Sequence, residues 1–225
     1  MKSMVSRENF ELTIGWVFAT VIGVVLSEVF LIVRVLDIIP VILKQDNYGL
    51  SLFTVTLVSE VTLGLSVGVF QWLLLRTRLS YTRWWIFVTP LGMLLGSYLL
   101  SLFYYFESQF FRINIWQLDH WIGMFLFGAT IGFCQWLVLR KSLNRPKIWI
   151  IASGLGWAIG RIISSDYIRS RLYGYNDLGG MPYIFFDLYR EIAIYGIFGI
   201  LVGLITGVFL LLLLRQKHDL VQLAA

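Results

Sequence analysis

Six stretches of about twenty residues, each nearly free of charge, dictate what this chain can become. They run over Leu12–Val33, Leu50–Leu75, Trp84–Phe106, His120–Leu139, Ile148–Ser165 and Ile192–Leu214. A helix crossing the hydrocarbon core of a bilayer needs about 20 predominantly apolar residues. It must be a helix because lipid offers no partner to an exposed peptide group. Composition agrees: hydrophobic residues are 58% of the chain and charged residues 14%, where a soluble domain averages about 45–50% and about 25%. Mean hydropathy is +0.79. Too few charges remain to cover a water-facing surface, which excludes a soluble enzyme, a disordered chain, a collagen and a disulfide scaffold. We therefore expect an all-α integral membrane protein with six transmembrane helices, forming a single polytopic domain over residues 1–225. The single cysteine, Cys134, lies inside an apolar run and can form no internal disulfide.

The first run is expected to be a retained helix rather than a cleaved signal. Glu8 and Glu11 spoil the positive n-region, the apolar stretch is too long, and no small-residue cleavage site follows. Orientation follows from Lys and Arg, since basic loops stay cytoplasmic. Lys2, Arg7, Arg76, Arg78, Arg83, Arg140, Lys141, Arg145, Lys147, Arg215 and Lys217 fall on one side; Arg34, Lys44, Arg112, Arg169, Arg171 and Arg190 fall on the other, largely offset by nearby acids. Both termini are expected in the cytoplasm. The net charge of +5 is then a topology signal. No basic patch extends beyond the short loops, so nucleic acid is not an expected partner. Trp84, Trp85 and Trp149 fall at cytoplasmic ends of spans, and Tyr104, Tyr105, Trp116, Trp121 and Tyr183 near the outer side. Their positions suggest interfacial anchors.

The chain also repeats itself. Spans two, four and six end GLSVGVFQWLLLR, GATIGFCQWLVLR and GLITGVFLLLLLR. Gly64, Gly128 and Gly203 align, as do Gly68, Gly132 and Gly207, and then Arg76, Arg140 and Arg215. In spans one, three and five, Trp16, Trp85 and Trp149 each precede a glycine by seven residues: Gly23, Gly92 and Gly156. Repetition over most of the chain predicts repeated architecture. Two spans per unit make the units parallel about an axis along the membrane normal, so we expect three helical hairpins in a pseudo-threefold arrangement. Mitochondrial carriers share that general plan, but their proline, acidic and basic signature on odd helices is missing. Small residues four apart let helices approach closely; Gly64/Gly68, Gly92/Gly96, Gly128/Gly132, Gly156/Gly160 and Gly199/Gly203/Gly207 have that spacing and are read as packing faces. Gln71 and Gln135 are expected to hydrogen-bond across helices, and Pro90 to kink the third span. The G-x-x-x-G-x-x-Q-W-L-x-L-R string resembles segments of uncharacterised multi-span bacterial proteins, cyanobacterial ones especially. The resemblance covers spans two to five, with span six a decayed copy. It implies no activity, and it implies a bacterial plasma or thylakoid membrane.

Charges within spans cost about 2.5–3.5 kcal/mol each on insertion scales and are functional candidates for that reason. Glu28, Glu60 and Arg161 stand inside spans, and Glu191 near the outer end of the sixth. All four fall in the outer half of the bilayer by the orientation above. Glu28, Ser97 and Arg161 are equivalent positions, each five residues after the aligned glycine. One reading is a buried ion pair of Arg161 with Glu28 or Glu60. The other is a polar cavity, open to the outside, that holds a small solute or ion. The long outer loop Asp166–Arg190, with Pro182 suited to the first turn of a helix, is a candidate cap, docking segment or interfacial helix.

Catalytic chemistry has no sequence basis. His120 and His218 fall on opposite sides, and no zinc motif, cysteine pair, phosphate loop or dinucleotide fingerprint is present. No metal or cofactor and no enzymatic activity is expected. Two functional classes remain. One is a solute- or ion-binding, transporter-like membrane protein using Glu28, Glu60, Arg161 and Glu191. The other is a non-catalytic accessory or assembly subunit, whose glycine-rich faces would meet a membrane-protein partner or another copy.

Overall fold

A computed structural model describes residues 2–43, 48–110, 116–143, 146–164 and 183–223. Across these the chain is all-helical: α1 Lys2–Leu43, α2 Tyr48–Leu75, a tighter turn at Thr82–Trp84, α3 Trp85–Phe110, α4 Trp116–Leu139, α5 Ile148–Arg161 and α6 Tyr183–Leu223. Five helices are long and apolar enough to cross a membrane, over Phe10–Leu31, Thr54–Leu75, Thr82–Glu107, Leu118–Leu139 and Tyr189–Gln216. The shorter α5, with its continuation, makes an apolar helix over Ile148–Ser164. These features are compatible with a multi-pass membrane protein.

Two helices outrun their apolar stretches. α1 continues ten residues past Val33 to Leu43, and α6 begins at Tyr183, nine residues before Ile192. Hydropathy marks the segment that lipid tolerates, whereas the backbone helix continues as long as its own hydrogen bonds do. Within the Asp166–Arg190 segment, Tyr183–Arg190 is one helix with the sixth span rather than a separate interfacial one. Pro182 and the rest of that loop lie outside the described residues.

Each helix packs on its neighbours in sequence, and α6 returns to α1, so the six close into a ring. Glycine makes the approach close. A Cβ at Gly64 would overlap the backbone of Pro90. At Gly92 it would lie 2.8 Å from Ile131 Cα, at Gly128 2.7 Å from Ser153 O, and at Gly199 and Gly203 2.8 Å from Val21 and Val17 Cα. Pro90 is thus seated against the α2 backbone at a place where only hydrogen fits. Gly68, Gly132 and Gly207 face Thr89, Ser153 and Trp16 in turn. Outward, the ring presents Phe18, Leu26, Phe87, Leu91, Phe133, Ile151, Leu204 and Leu212. Helices apolar on all sides suit a lipid surround.

Inside the ring sit two buried clusters. One joins Trp16, Trp85 and Trp149 to Leu75, Leu79, Val138, Leu139, Leu143, Leu210 and Leu213, near the ends that carry Arg76, Arg140 and Arg215. The other joins Val24, Val67, Met93, Phe127, Ile131, Trp157, Phe198 and Val202. At the basic end Arg76 stacks over Trp72 at 5.4 Å and Arg140 over Trp136 at 5.3 Å. The α2–α3 and α4–α5 connections are tied there by Ser80 and Ser142, whose hydroxyls are 3.0 Å apart.

Candidate functional site

The ring's interior is layered, and each layer includes three residues at one spacing from Trp16, Trp85 and Trp149. Nearest the basic end, the indoles of Trp16, Trp85 and Trp149 meet pairwise edge to face, with ring centroids 6.1, 5.8 and 5.9 Å apart. Their spacing and T-shaped geometry are those that the aromatic quadrupole favours. All three are fully buried. This corrects the interfacial reading of Trp85 and Trp149: they close the centre of the ring, while Trp84, 49% exposed, points outward. Position along a span fixes depth, but only packing fixes which way a side chain faces.

Each indole N–H has a partner from the preceding helix of the ring. Trp85 Nε1 donates to Gln71 Oε1 at 3.0 Å, and Trp149 Nε1 to Gln135 Oε1 at 2.9 Å. The glutamine amides pass the chain on: Gln71 Nε2 donates to Thr20 at 3.1 Å and Gln135 Nε2 to Thr89 at 3.2 Å. Those hydroxyls donate to the carbonyls of Trp16 and Trp85. Gln71 and Gln135 therefore do bond across helices. Helix α6 differs, because Leu210 follows Gly203 by seven residues, as Gln71 and Gln135 follow Gly64 and Gly128. Trp16 Nε1 donates instead to Thr206 Oγ1 at 2.9 Å, and Thr206 to Val202 O. A void of about 20 Å³ remains among these polar groups.

Beyond this layer lies an apolar floor that includes Val24, Met93 and Trp157, each eight residues past its tryptophan. Trp157 packs edge to face on Phe127 at 4.9 Å and on Phe198 at 5.1 Å. Above the floor a cavity of about 340 Å³ opens, within the ~300–1,000 Å³ range of small-molecule sites. Glu28, Ser97 and Arg161 all line it. Each lies twelve residues beyond its tryptophan, about 18 Å along the helix from the indole layer. Glu60 from α2 and Tyr195 from α6 complete the polar wall.

The polar wall is connected. Ser97 Oγ donates to Glu60 Oε1 at 2.6 Å. Tyr195 hydrogen-bonds with Arg161 and lies within electrostatic reach of Glu28 and Glu191, while the Arg161 charge also acts on Glu60. Glu60 Oε2 is shut off from solvent without a hydrogen-bond partner among the described residues. The cavity therefore gathers Glu28, Glu60 and Arg161. It leaves Glu191 outside its lining, where Glu191 pairs with Arg190 at 3.6 Å. Nothing in the sequence singles out Tyr195, Trp157 or Phe198, because aromatic residues in apolar helices carry no distinguishing signal of their own.

His120 stands apart from this site and meets Tyr104 at 3.1 Å through Nδ1. Among the described residues no group of three or more His, Cys, Asp or Glu side chains is placed to hold a metal. No protein-family model, curated protein or solved structure matches the chain.

Proposed function

We propose that this is a multi-pass membrane protein of three parallel helical hairpins about a pseudo-threefold axis, whose one-ended cavity binds a small solute at the outer face. The observation that carries the reading is convergence. Residues equivalent in the repeat, Glu28, Ser97 and Arg161, meet with Glu60 at one cavity, although charge inside a span is costly to insert. Buried charge commonly serves only to fix helix register. A structural pair alone, however, would be expected to close around itself rather than line 340 Å³ of space.

The loop charges support an orientation with both termini in the cytoplasm. The cavity then faces the opposite side, and the indole layer separates it from the cytoplasm. With that layer closed the ring is a receptacle rather than a channel. A transport cycle would require Trp16, Trp85 and Trp149 to part.

The test is a thermal-stability screen of the purified full chain against a panel of amines, carboxylic acids, amino acids, sugars and monovalent cations. A ligand held at 100 times its Kd stabilises the folded protein by about 2.7 kcal/mol. At least one class should raise the unfolding temperature of the wild type and not that of Glu28→Gln or Glu60→Gln. Stabilisation that persists unchanged in both variants, or none with any class, would refute the reading.

A further inference from the structure

Resting on that reading, we propose that the cavity's ligand is a small organic cation, a protonated amine carried on an apolar or aromatic body. Among the described residues the lining holds two carboxylates, Glu28 and Glu60, against one guanidinium, Arg161. Glu191 adds negative charge nearby but is paired with Arg190. In a low-dielectric site an uncompensated carboxylate is expensive, and a ligand of opposite charge relieves it.

Glu60 is where the charge would be met. One carboxylate oxygen accepts from Ser97 and the other has no partner among the described residues. The last torsion of a glutamate is broad and roughly two-fold, so its carboxylate can turn an oxygen toward an arriving N–H. An anion finds poorer terms. Among the described residues the cation that lines the cavity, Arg161, already engages Tyr195 and lies in the field of the acids. A neutral molecule would leave the Glu60 carboxylate without a counter-charge at its second oxygen.

The rest of the wall fits the rest of such a ligand. Phe127, Trp157, Tyr195 and Phe198 line the same space. Aromatic faces attract ammonium groups within about 6 Å, Trp most strongly, and the same rings accept an apolar body. Charge therefore sets the sign of the ligand, and the aromatic floor sets its character.

The experiment is titration calorimetry of the full chain in lipid nanodiscs with three probes of one shape: benzylammonium, benzyl alcohol and benzoate. Benzylammonium should bind at least tenfold more tightly than the other two. Glu60→Gln should weaken it at least tenfold. Should Glu60→Gln not yield a monodisperse protein, Glu28→Gln provides the same reduction of negative charge from α1 and should also weaken binding. Preferential binding of benzoate or benzyl alcohol would overturn the cation assignment while leaving a solute site standing. Benzylammonium bound equally well by wild type and the folded variants would overturn the role of the carboxylates. If none of the three probes binds, the cation assignment falls. The broader screen, which extends beyond aromatic probes, then decides separately whether the solute reading falls with it.

Discussion

Replacing Gln71 by Leu makes α2 resemble α6 at this level, and the hydrogen bonds around Trp85 set the cost. The substitution removes the acceptor of the Trp85 N–H, 3.0 Å away, and the donor to Thr20, 3.1 Å away. Interhelical hydrogen bonds in membranes average about 0.6 kcal/mol and reach about 1.7 kcal/mol. A buried donor left unpaired adds a desolvation penalty of about 1–3 kcal/mol. With two bonds lost and one indole N–H stranded, Gln71→Leu should cost roughly 2–4 kcal/mol. Helix α6 contains the remedy: Trp16 is satisfied by Thr206, three residues after Gly203. The corresponding residue in α2 is Val67, also buried and nearly the same shape as threonine. Adding Val67→Thr to Gln71→Leu should place a hydroxyl before Trp85 and recover at least half of the loss. Equilibrium unfolding in mixed micelles at rising denaturing-detergent fraction gives the three free energies. A Gln71→Leu protein as stable as wild type would refute the hydrogen-bond reasoning. A double variant no better than the single one would refute the proposed equivalence of Val67 and Thr206.

Glycine spacing makes a second prediction. Gly64→Leu should prevent assembly of the ring, because its side chain would occupy the Pro90 backbone; a monodisperse gel-filtration peak for this variant would contradict that packing. Gly196, where an added Cβ would meet nothing within 4 Å, should accept alanine and gain up to about 1 kcal/mol of helix propensity, read in the same unfolding assay. Trp85→Ala should cost about 3–5 kcal/mol as a core truncation, whereas the adjacent Trp84→Ala, outward-facing, should cost under half of that. Equal losses at the two positions would argue against the central indole layer.

How far the amino-acid sequence reveals this molecule depends on which coordinate is asked for. Depth is legible: a run of apolar residues has a length, and a bilayer has a thickness, so the apolar cores of the long helices follow from counting. Angle is harder. Trp85 and Trp84 are neighbours at one depth, yet one ends at the centre of the ring and the other outside it. Alignment of Trp16, Trp85 and Trp149, with Thr20, Thr89 and Ser153 four residues later, holds the missing angular information. An interfacial anchor needs no polar partner on the neighbouring helix, whereas each buried indole here has one in Gln71, Gln135 or Thr206. Glu191 illustrates the same limit from the other side. It lies toward the outer end of α6, like the cavity acids of the other helices, but the turn of the helix gives it to Arg190 instead. Helix continuation through residues 34–43 and 183–191 is hidden for another reason: Arg34, Asp37 and Pro40 in the one, and Asp187, Arg190 and Glu191 in the other, interrupt sequence that is otherwise apolar.

Access from one side only is the most direct consequence of the proposed orientation, in which the indole layer lies between the cavity and the cytoplasm. The measurement is cysteine labelling in intact cells, on a Cys134→Ala background, with a membrane-impermeant maleimide applied from outside. Ser97→Cys, in the cavity wall, should react in intact cells and be protected by a bound ligand. Ser142→Cys, at the basic end, should react only after the cells are opened. Labelling of Ser97→Cys only from the cytoplasmic side, or of Ser142→Cys from outside, would contradict the orientation and with it the outward-facing site.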